Sequence, residues 1–232
     1  MPGTEGKKPS PEEIALVRAR TKEMFVNGGL EHYSQVDINK LQQDEVVELF
    51  WLHTYWLSGD QVDETVDMIE KTFRWRKEFG VNEIRRESLS QKIMETGAMS
   101  VREETDKAGY KILVMCVRKY VKNKDDVEDM KKCMVSFLED LRKEIISQEI
   151  TLVFDCNGAG LKNIDMDVIK FLISLFQNYY PRMLGKILIY DLPWILNPVF
   201  VIIKVRVPLL LVHIPLISPY LLRRCCQPQL PR

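Results

Sequence analysis

Apolar residues recur at helical spacing through the first hundred positions of the chain. Ser10-Pro11-Glu12-Glu13 has the form of a capping box with Pro at the first helical position, and Ile14, Val17, Met24 and Phe25 follow at intervals of three and four. Asn27-Gly28-Gly29 ends that helix. A second helix is predicted from near Asp37 past Asp44, with Val46, Val47, Leu49, Phe50 and Trp56 as its apolar positions. Gly59-Asp60 is a turn, and Asp60 caps a third helix in which Val62, Val66, Ile69 and Phe73 share one face before Gly80 stops it.

The period shortens after Gly97. Residues 98 to 103 and 110 to 117 alternate or run apolar as strands do, and Asp106-Lys107-Ala108-Gly109 between them carries turn chemistry, so a hairpin is predicted. Asp125 or Asp126 then caps a helix bearing Met130, Met134, Phe137, Leu141 and Ile145. The run ITLVF precedes Asp155, loop 156 to 163 leads with Asn163 as cap into a helix through Ile169, Leu172, Ile173 and Phe176, and Pro181 ends it. A second apolar strand, KILIY, precedes Asp191, and Pro198 starts one more helix to about residue 204. Short, wholly apolar strands alternating with helices argue a mostly parallel sheet flanked by helices, so the class is α/β with a helical lobe at the N-terminus. No internal repeat or low-complexity run interrupts it.

Composition changes this picture mainly at the C-terminus. The 232 residues are 46% hydrophobic and 28% charged, an ordinary globular balance. Basic and acidic residues match at 33 each, so no charge-driven attraction to nucleic acid is expected. Yet no acidic residue follows Asp191, while Lys204, Arg206, Arg223, Arg224 and Arg232 do. Val207 to Leu222 lacks Asp, Glu, Lys and Arg but contains Pro208, Pro215 and Pro219 and is too short and broken for a transmembrane helix, which needs about 20 apolar residues. The N-terminus has no apolar run of a signal peptide. Five cysteines without CxxC spacing, Cys116, Cys133, Cys156, Cys225 and Cys226, fit a reduced, cytoplasmic chain.

Several candidate chemistries fail on their residues. Gly158-Ala159-Gly160 lies where dinucleotide loops do, but position 163 is Asn and no GK[ST] follows, so bare backbone is missing where a pyrophosphate would sit. His32, His53 and His213 are isolated, leaving no ligand set for a metal, and no cofactor is expected. Cys156 has no neighbouring His to activate it. Asp155 and Asp191 end parallel strands, where they serve either as acids or as turn-stabilising carboxylates. Arg74, Arg76, Arg85 and Arg86, and again Arg118, Lys119, Lys122 and Lys124, form basic groups that could meet anionic headgroups, but acidic neighbours read them as mixed solvated faces.

An ordered series of motifs is more specific. VDETVDMIEKTFRWRKEFGV, with Trp75-Arg76, resembles the helix closing the N-terminal lobe of the CRAL-TRIO lipid-binding family. The Asp106 to Gly109 turn is similar to the family's opening DxxG turn. TLVFD, a Gly-containing loop, Asn178-Tyr179-Tyr180-Pro181, Leu184-Gly185-Lys186-Ile187, Pro193-Trp194 and Asn197-Pro198-Val199-Phe200 then follow in the family's order, the last with Ile202, Ile203 and Lys204 resembling its gate helix. The resemblance covers about residues 37 to 204. It implies an extension with one helix (1–36), a helical lobe (37–96), a lipid-binding domain (97–204) and a divergent apolar, basic tail (205–232).

What the resemblance implies is non-catalytic binding or transfer of a lipid in an apolar cavity, with contact to intracellular membranes such as the endoplasmic reticulum. One wall is expected from Leu113, Met115, Val153, Ile187 and Ile189, the opposite wall from Phe171, Leu175 and Tyr179, and the gate from Trp194, Phe200 and Ile203. Two departures stand out. Phosphatidylinositol-binding relatives have a Glu after the Tyr-Pro pair where this chain has Arg182, and after Lys204 the tail, read as an alternative C-terminus, replaces the expected gate end and last strand. The competing reading is a membrane-surface or protein-interaction module, or a truncated form without a working pocket. There Leu209 to Leu211, Ile214, Leu216, Ile217 and Leu221 insert beside Arg223 and Arg224, with Cys225 and Cys226 as palmitoylation candidates.

Overall fold

The computed structural model describes residues 7–55, 61–123, 126–145, 148–206 and 212–213, the backbone alone for 202–206 and 212–213. Trp56, Asp60, Lys124, Asp125 and most of the tail, including Cys225 and Cys226, lie outside the described residues. The chain divides into two compact units, Met1–Ile84 with Phe176–Arg182, and Arg85–Leu175 with Met183–Arg232.

Helices alone build the first part of the first unit: α1 (Pro11–Gly28), α2 (Gln35–Lys40), α3 (Asp44–Thr54) and α4 (Gln61–Phe79). The capping box is formed, Ser10 Oγ accepting from the Glu13 amide at 3.2 Å and Glu13 Oε2 from the Ser10 amide at 2.7 Å. Ile14, Val17 and Phe25 of α1 pack with Val47, Phe50 and Trp51 of α3 and Val62, Val66, Ile69 and Phe73 of α4 in one core. The single helix predicted across Asp37 and Asp44 is broken in two. Arg18 donates to the carbonyls of Leu41 at 2.5 Å and Gln42 at 2.9 Å, holding the turn between α2 and α3. Asp37 is wholly buried and accepts from Arg76 Nε at 2.9 Å, Lys40 Nζ at 2.7 Å and Asn82 Nδ2 at 2.6 Å. Arg76 is therefore a buried ion-pair partner and not part of a solvated basic face. Burying a carboxylate demands partners of this number and charge.

In the second unit α5 (Gln91–Thr96) precedes the hairpin of β1 (Met99–Thr105) and β2 (Lys111–Cys116). Gly109, at φ 86°, supplies the left-handed residue of the turn. Asp106 ties the turn to the rest of the sheet. Its Oδ1 accepts from the Ala108 and Tyr110 amides, its Oδ2 from Thr151 Oγ1 at 2.8 Å and Lys186 Nζ at 3.0 Å. Burial alone would raise the Asp106 carboxyl, but these bonds outweigh it and hold it at about 2. Gly185 lies beside the turn, where a Cβ would meet Glu149 Oε2 at 2.6 Å.

From β2 onward the chain winds in one direction. α6 (Val127–Glu144), β3 (Ile150–Asp155), α7 (Met166–Ser174), β4 (Leu184–Tyr190), α8 (Asn197–Arg206) and β5 (Val212–His213) give strand order β1-β2-β3-β4-β5, antiparallel only at β1. Among the described residues, two residues of the tail thus add a fifth strand beside β4. Parallel strands laid down consecutively with right-handed crossovers place all their helices on one face. Register sets that face: Leu113, Leu152 and Ile187 align across it, as do Met115, Phe154 and Ile189. On the other face Val114 and Val153 pack with Ile112, Leu188 and Tyr190, a cluster of strand residues only among those described.

Candidate functional site

A cavity of about 70 Å³ opens in the second unit between the helix-bearing face of the sheet and its crossover helices. Met99 and Met115 come from the hairpin, Phe154 from β3, Met130 and Met134 from α6, Val168, Ile169 and Leu172 from α7, and Val199 and Phe200 from α8. Phe200 meets Phe154 edge to face, with centroids 5.8 Å apart. A smaller void of about 10 Å³ shares Ala98, Met99 and Met130 and adds Met94. Methionine, unbranched and polarizable, re-packs readily, so this wall is suited to a change in the volume it encloses.

The few polar side chains on the lining are already committed. Asn163 accepts from the Gly160 amide at 2.9 Å and donates to the carbonyls of Arg118 at 3.1 Å and Tyr120 at 2.7 Å, pinning the loop after β3 to the loop after β2. The cap of α7 is therefore Asp165, not Asn163: its Oδ1 accepts from the Asp167 amide at 3.0 Å and the Val168 amide at 3.4 Å. Tyr120 donates to Asp165 Oδ2 at 3.5 Å, and burial, then the Asp165 and Asp126 charges, push its phenol up to about 12. Among the described residues no buried side-chain nitrogen or oxygen lacks a hydrogen-bond partner. Such a site offers a guest contact area and almost no polar recognition.

The residues expected to form the walls and gate are placed as follows. Met115 and Phe200 line the cavity. Leu113, Ile187 and Ile189 are buried on the same sheet face, away from the lining. Leu175 is fully buried just past α7, and Phe171 is half-buried with the Lys131 ammonium 5.5 Å from its ring centre. Val153 faces the opposite side of the sheet. Tyr179 belongs to the first unit, where its ring stacks on Trp75 with centroids 4.0 Å apart. Trp194 is exposed, Ile203 lies within α8, and the Ile203 side chain is outside the described residues. Sequence reasoning missed Phe154, Met130, Met134, Val168 and the polar trio Tyr120, Asn163 and Asp165. The apolar stripe of α6 was the available signal for the methionines.

The strand-end groups are engaged in loop structure. Asp155 is buried, accepting from the Asn157 amide at 3.1 Å and the Cys116 thiol at 3.5 Å. Asp191 accepts from Asn157 Nδ2. Cys116, Cys133 and Cys156 are buried thiols outside any disulfide, and burial together with the Asp155 and Asp191 charges pushes the Cys156 thiol up to about 12. Among the described residues no group of His, Cys, Asp and Glu is arranged to hold a metal, and no helix is long and apolar enough to cross a membrane.

The sequence profile of the CRAL/TRIO domain matches residues 94–209, half of the chain and the whole of the cavity lining. The chain belongs to the CRAL/TRIO family. The phosphatidylinositol transfer protein CSR1 of Eremothecium gossypii is 44% identical over 54 residues, 23% of this chain and 12% of that protein. A CRAL-TRIO domain-containing protein of Schizosaccharomyces pombe is 26% identical over 138 residues, 55% of this chain and 39% of its own length. This CRAL/TRIO chain thus spans only a minor part of those relatives. The crystal structure of Sfh5 superposes with a TM-score of 0.55 at 20% identity, covering 66% of this chain and 60% of that one, which shows the shared fold.

Proposed function

We propose that this CRAL/TRIO chain binds a lipid by enclosing its acyl chain, carries it without chemical turnover, and exchanges it at membranes. The observation that carries the reading is the cavity itself: apolar, between the sheet and three crossover helices, with its polar side chains already bonded to one another or to backbone. An acyl chain gains about 0.8 kcal/mol per buried CH₂ there and needs no catalytic group. The related CSR1 is, by its name, a phosphatidylinositol transfer protein. Here, however, the residue after Pro181 is Arg182, whose backbone amide is held by His53 in the first unit, so the proposed selectivity rests on the chain and not on an inositol headgroup.

At about 70 Å³ the cavity is smaller than the roughly 300–1,000 Å³ of ordinary ligand sites, so uptake requires α8, with Val199 and Phe200, to move outward as a gate. Within the family, we read LKNIDMDVIKFLISLFQNYYP and YDLPWILN as resembling the N-terminal domain of motile sperm domain-containing protein 2. In keeping with that likeness we place the chain in the cytoplasm, peripheral on the endoplasmic reticulum or other intracellular membranes. Native mass spectrometry of the full chain purified from cells is expected to show a lipid-sized adduct lost on organic extraction. Repeated preparations without any adduct would leave the competing reading, a surface module with no working pocket.

A further inference from the structure

β2, β3 and β4 run parallel, so the loops that follow them, residues 117–123, 156–163 and 191–196, leave from one edge of the sheet. They are stitched together. The Lys122 amide donates to the Lys162 carbonyl at 2.8 Å, the Cys156 amide to the Tyr190 carbonyl at 2.9 Å, Arg118 Nη1 to Asn157 Oδ1 at 3.4 Å, and Asn157 Nδ2 to Asp191. This platform presents large apolar side chains to solvent: Trp194 is 82% exposed, Leu161 61%, Val121 53% and Ile195 40%. Isolated exposed apolar residues mean little, but here one comes from each of two loops and two from the third. The same three segments carry Arg118, Lys119, Lys122 and Lys162, against Asp191 as their one acidic residue. The same loops supply Val117, Tyr120 and Ile164's neighbour Asn163 to the cavity lining.

We infer that this loop edge is the membrane-docking face of the chain, with Trp194, Leu161, Val121 and Ile195 entering the interfacial region of an anionic bilayer and the four cations meeting its headgroups. Charge complementarity selects the partner: bulky exposed apolar side chains on loops that also carry four basic residues suit a negatively charged lipid surface, where insertion and electrostatic attraction add. A Trp at the tip fits the same place, since its ring is favoured at the membrane–water boundary. This inference builds on the lipid-carriage reading by setting the end of the cavity lined by Val117, Tyr120 and Asn163 toward the bilayer, which shortens a guest's path between them. It assigns docking to folded loops of the domain, independent of the tail.

The test is flotation of the full chain with vesicles of phosphatidylcholine alone and with about 30 mol% phosphatidylserine. Trp194→Ala with Leu161→Ala removes two solvent-exposed side chains, and binding to both vesicles is expected to fall by about tenfold or more. Lys122→Gln with Lys162→Gln should weaken binding about fivefold per charge on the anionic vesicles only. Binding of the Trp194/Leu161 variant within about twofold of the parent, or no vesicle binding by the parent, overturns the docking face. The first result points to the tail and the second to a protein partner. Lipid adducts read by native mass spectrometry on the same proteins keep the two readings apart. Adduct-free protein whose vesicle binding is lost in the variant retains the face and refutes carriage, whereas adduct-bearing protein whose binding is unchanged does the reverse.

Discussion

Asp37 carries more of the first unit than its place in a six-residue helix indicates. Its carboxylate has no exposure and accepts from Arg76, Lys40 and Asn82, so residues from α2, α4 and the turn after α4 meet at one atom pair. Removing the acid leaves the Arg76 guanidinium buried without its counter-charge. Asp37→Ala is therefore expected to destabilise the chain by about 3–5 kcal/mol in urea unfolding. Replacing both partners, Asp37→Leu with Arg76→Met, should recover a large part of that loss, because the penalty lies in the uncompensated charge. The Trp75-Arg76 pair was legible as a family motif, and Asp106 as a turn. What each holds was not. Asp37 is 39 residues from Arg76 and Asp106 is 80 from Lys186, separations at which no local pattern carries information.

The element scale shows its largest departure after α7. The helical period ran to Phe176 and predicted a helix ended by Pro181, but the α-helix stops at Ser174, a π-helical turn covers Leu175–Tyr179, and residues 176–182 join the first unit. Thr72 donates to the Asn178 carbonyl at 2.9 Å, Tyr179 stacks on Trp75, and His53 bridges the segment's ends. Its Nε2 is 3.0 Å from the Gln177 carbonyl, while Nδ1 accepts from the Arg182 amide at 3.2 Å. Only a neutral ring protonated on Nε2 does both. Burial lowers the His53 pKa, the Gln177 carbonyl opposes this in part, and the Arg182 charge lowers it further. As pH falls, the unfolded chain takes up the proton first, so the clasp stabilises the fold fully above about 6.5 and loses its contribution below that as pH drops toward the depressed native value. NMR titration should place His53 below the ordinary histidine value, and the fall in unfolding midpoint on acidification should be shallower in His53→Gln. A native His53 pKa at or above the ordinary value would refute the clasp.

At the scale of the whole molecule, the order of strands and helices in the second unit was readable because short apolar runs alternated with amphipathic helices. Their handedness then places α6, α7 and α8 together on one face. The cavity was read less well for a specific reason. ITLVF and KILIY are apolar at every position, so they carry no alternation, and only register against Met115 decides that Phe154 faces the helices and Val153 does not. The same geometry predicts a trade between stability and carriage. Val168 is buried on α7 at the cavity wall, and Val168→Phe would fill space that the parent leaves empty. A lipid binding only the folded state stabilises it by about 2.7 kcal/mol at a concentration one hundred times its dissociation constant, so the parent's Tm should rise as lipid is added. In Val168→Phe that rise should disappear while the lipid-free Tm stays equal or increases, because dispersion contacts replace a void. If crowding lowers the lipid-free Tm, as overpacking does, Val199→Phe at the gate provides the less constrained version of the same test. A lipid-dependent rise in Tm undiminished in both variants would mean that the guest sits elsewhere and that this cavity is only imperfect packing.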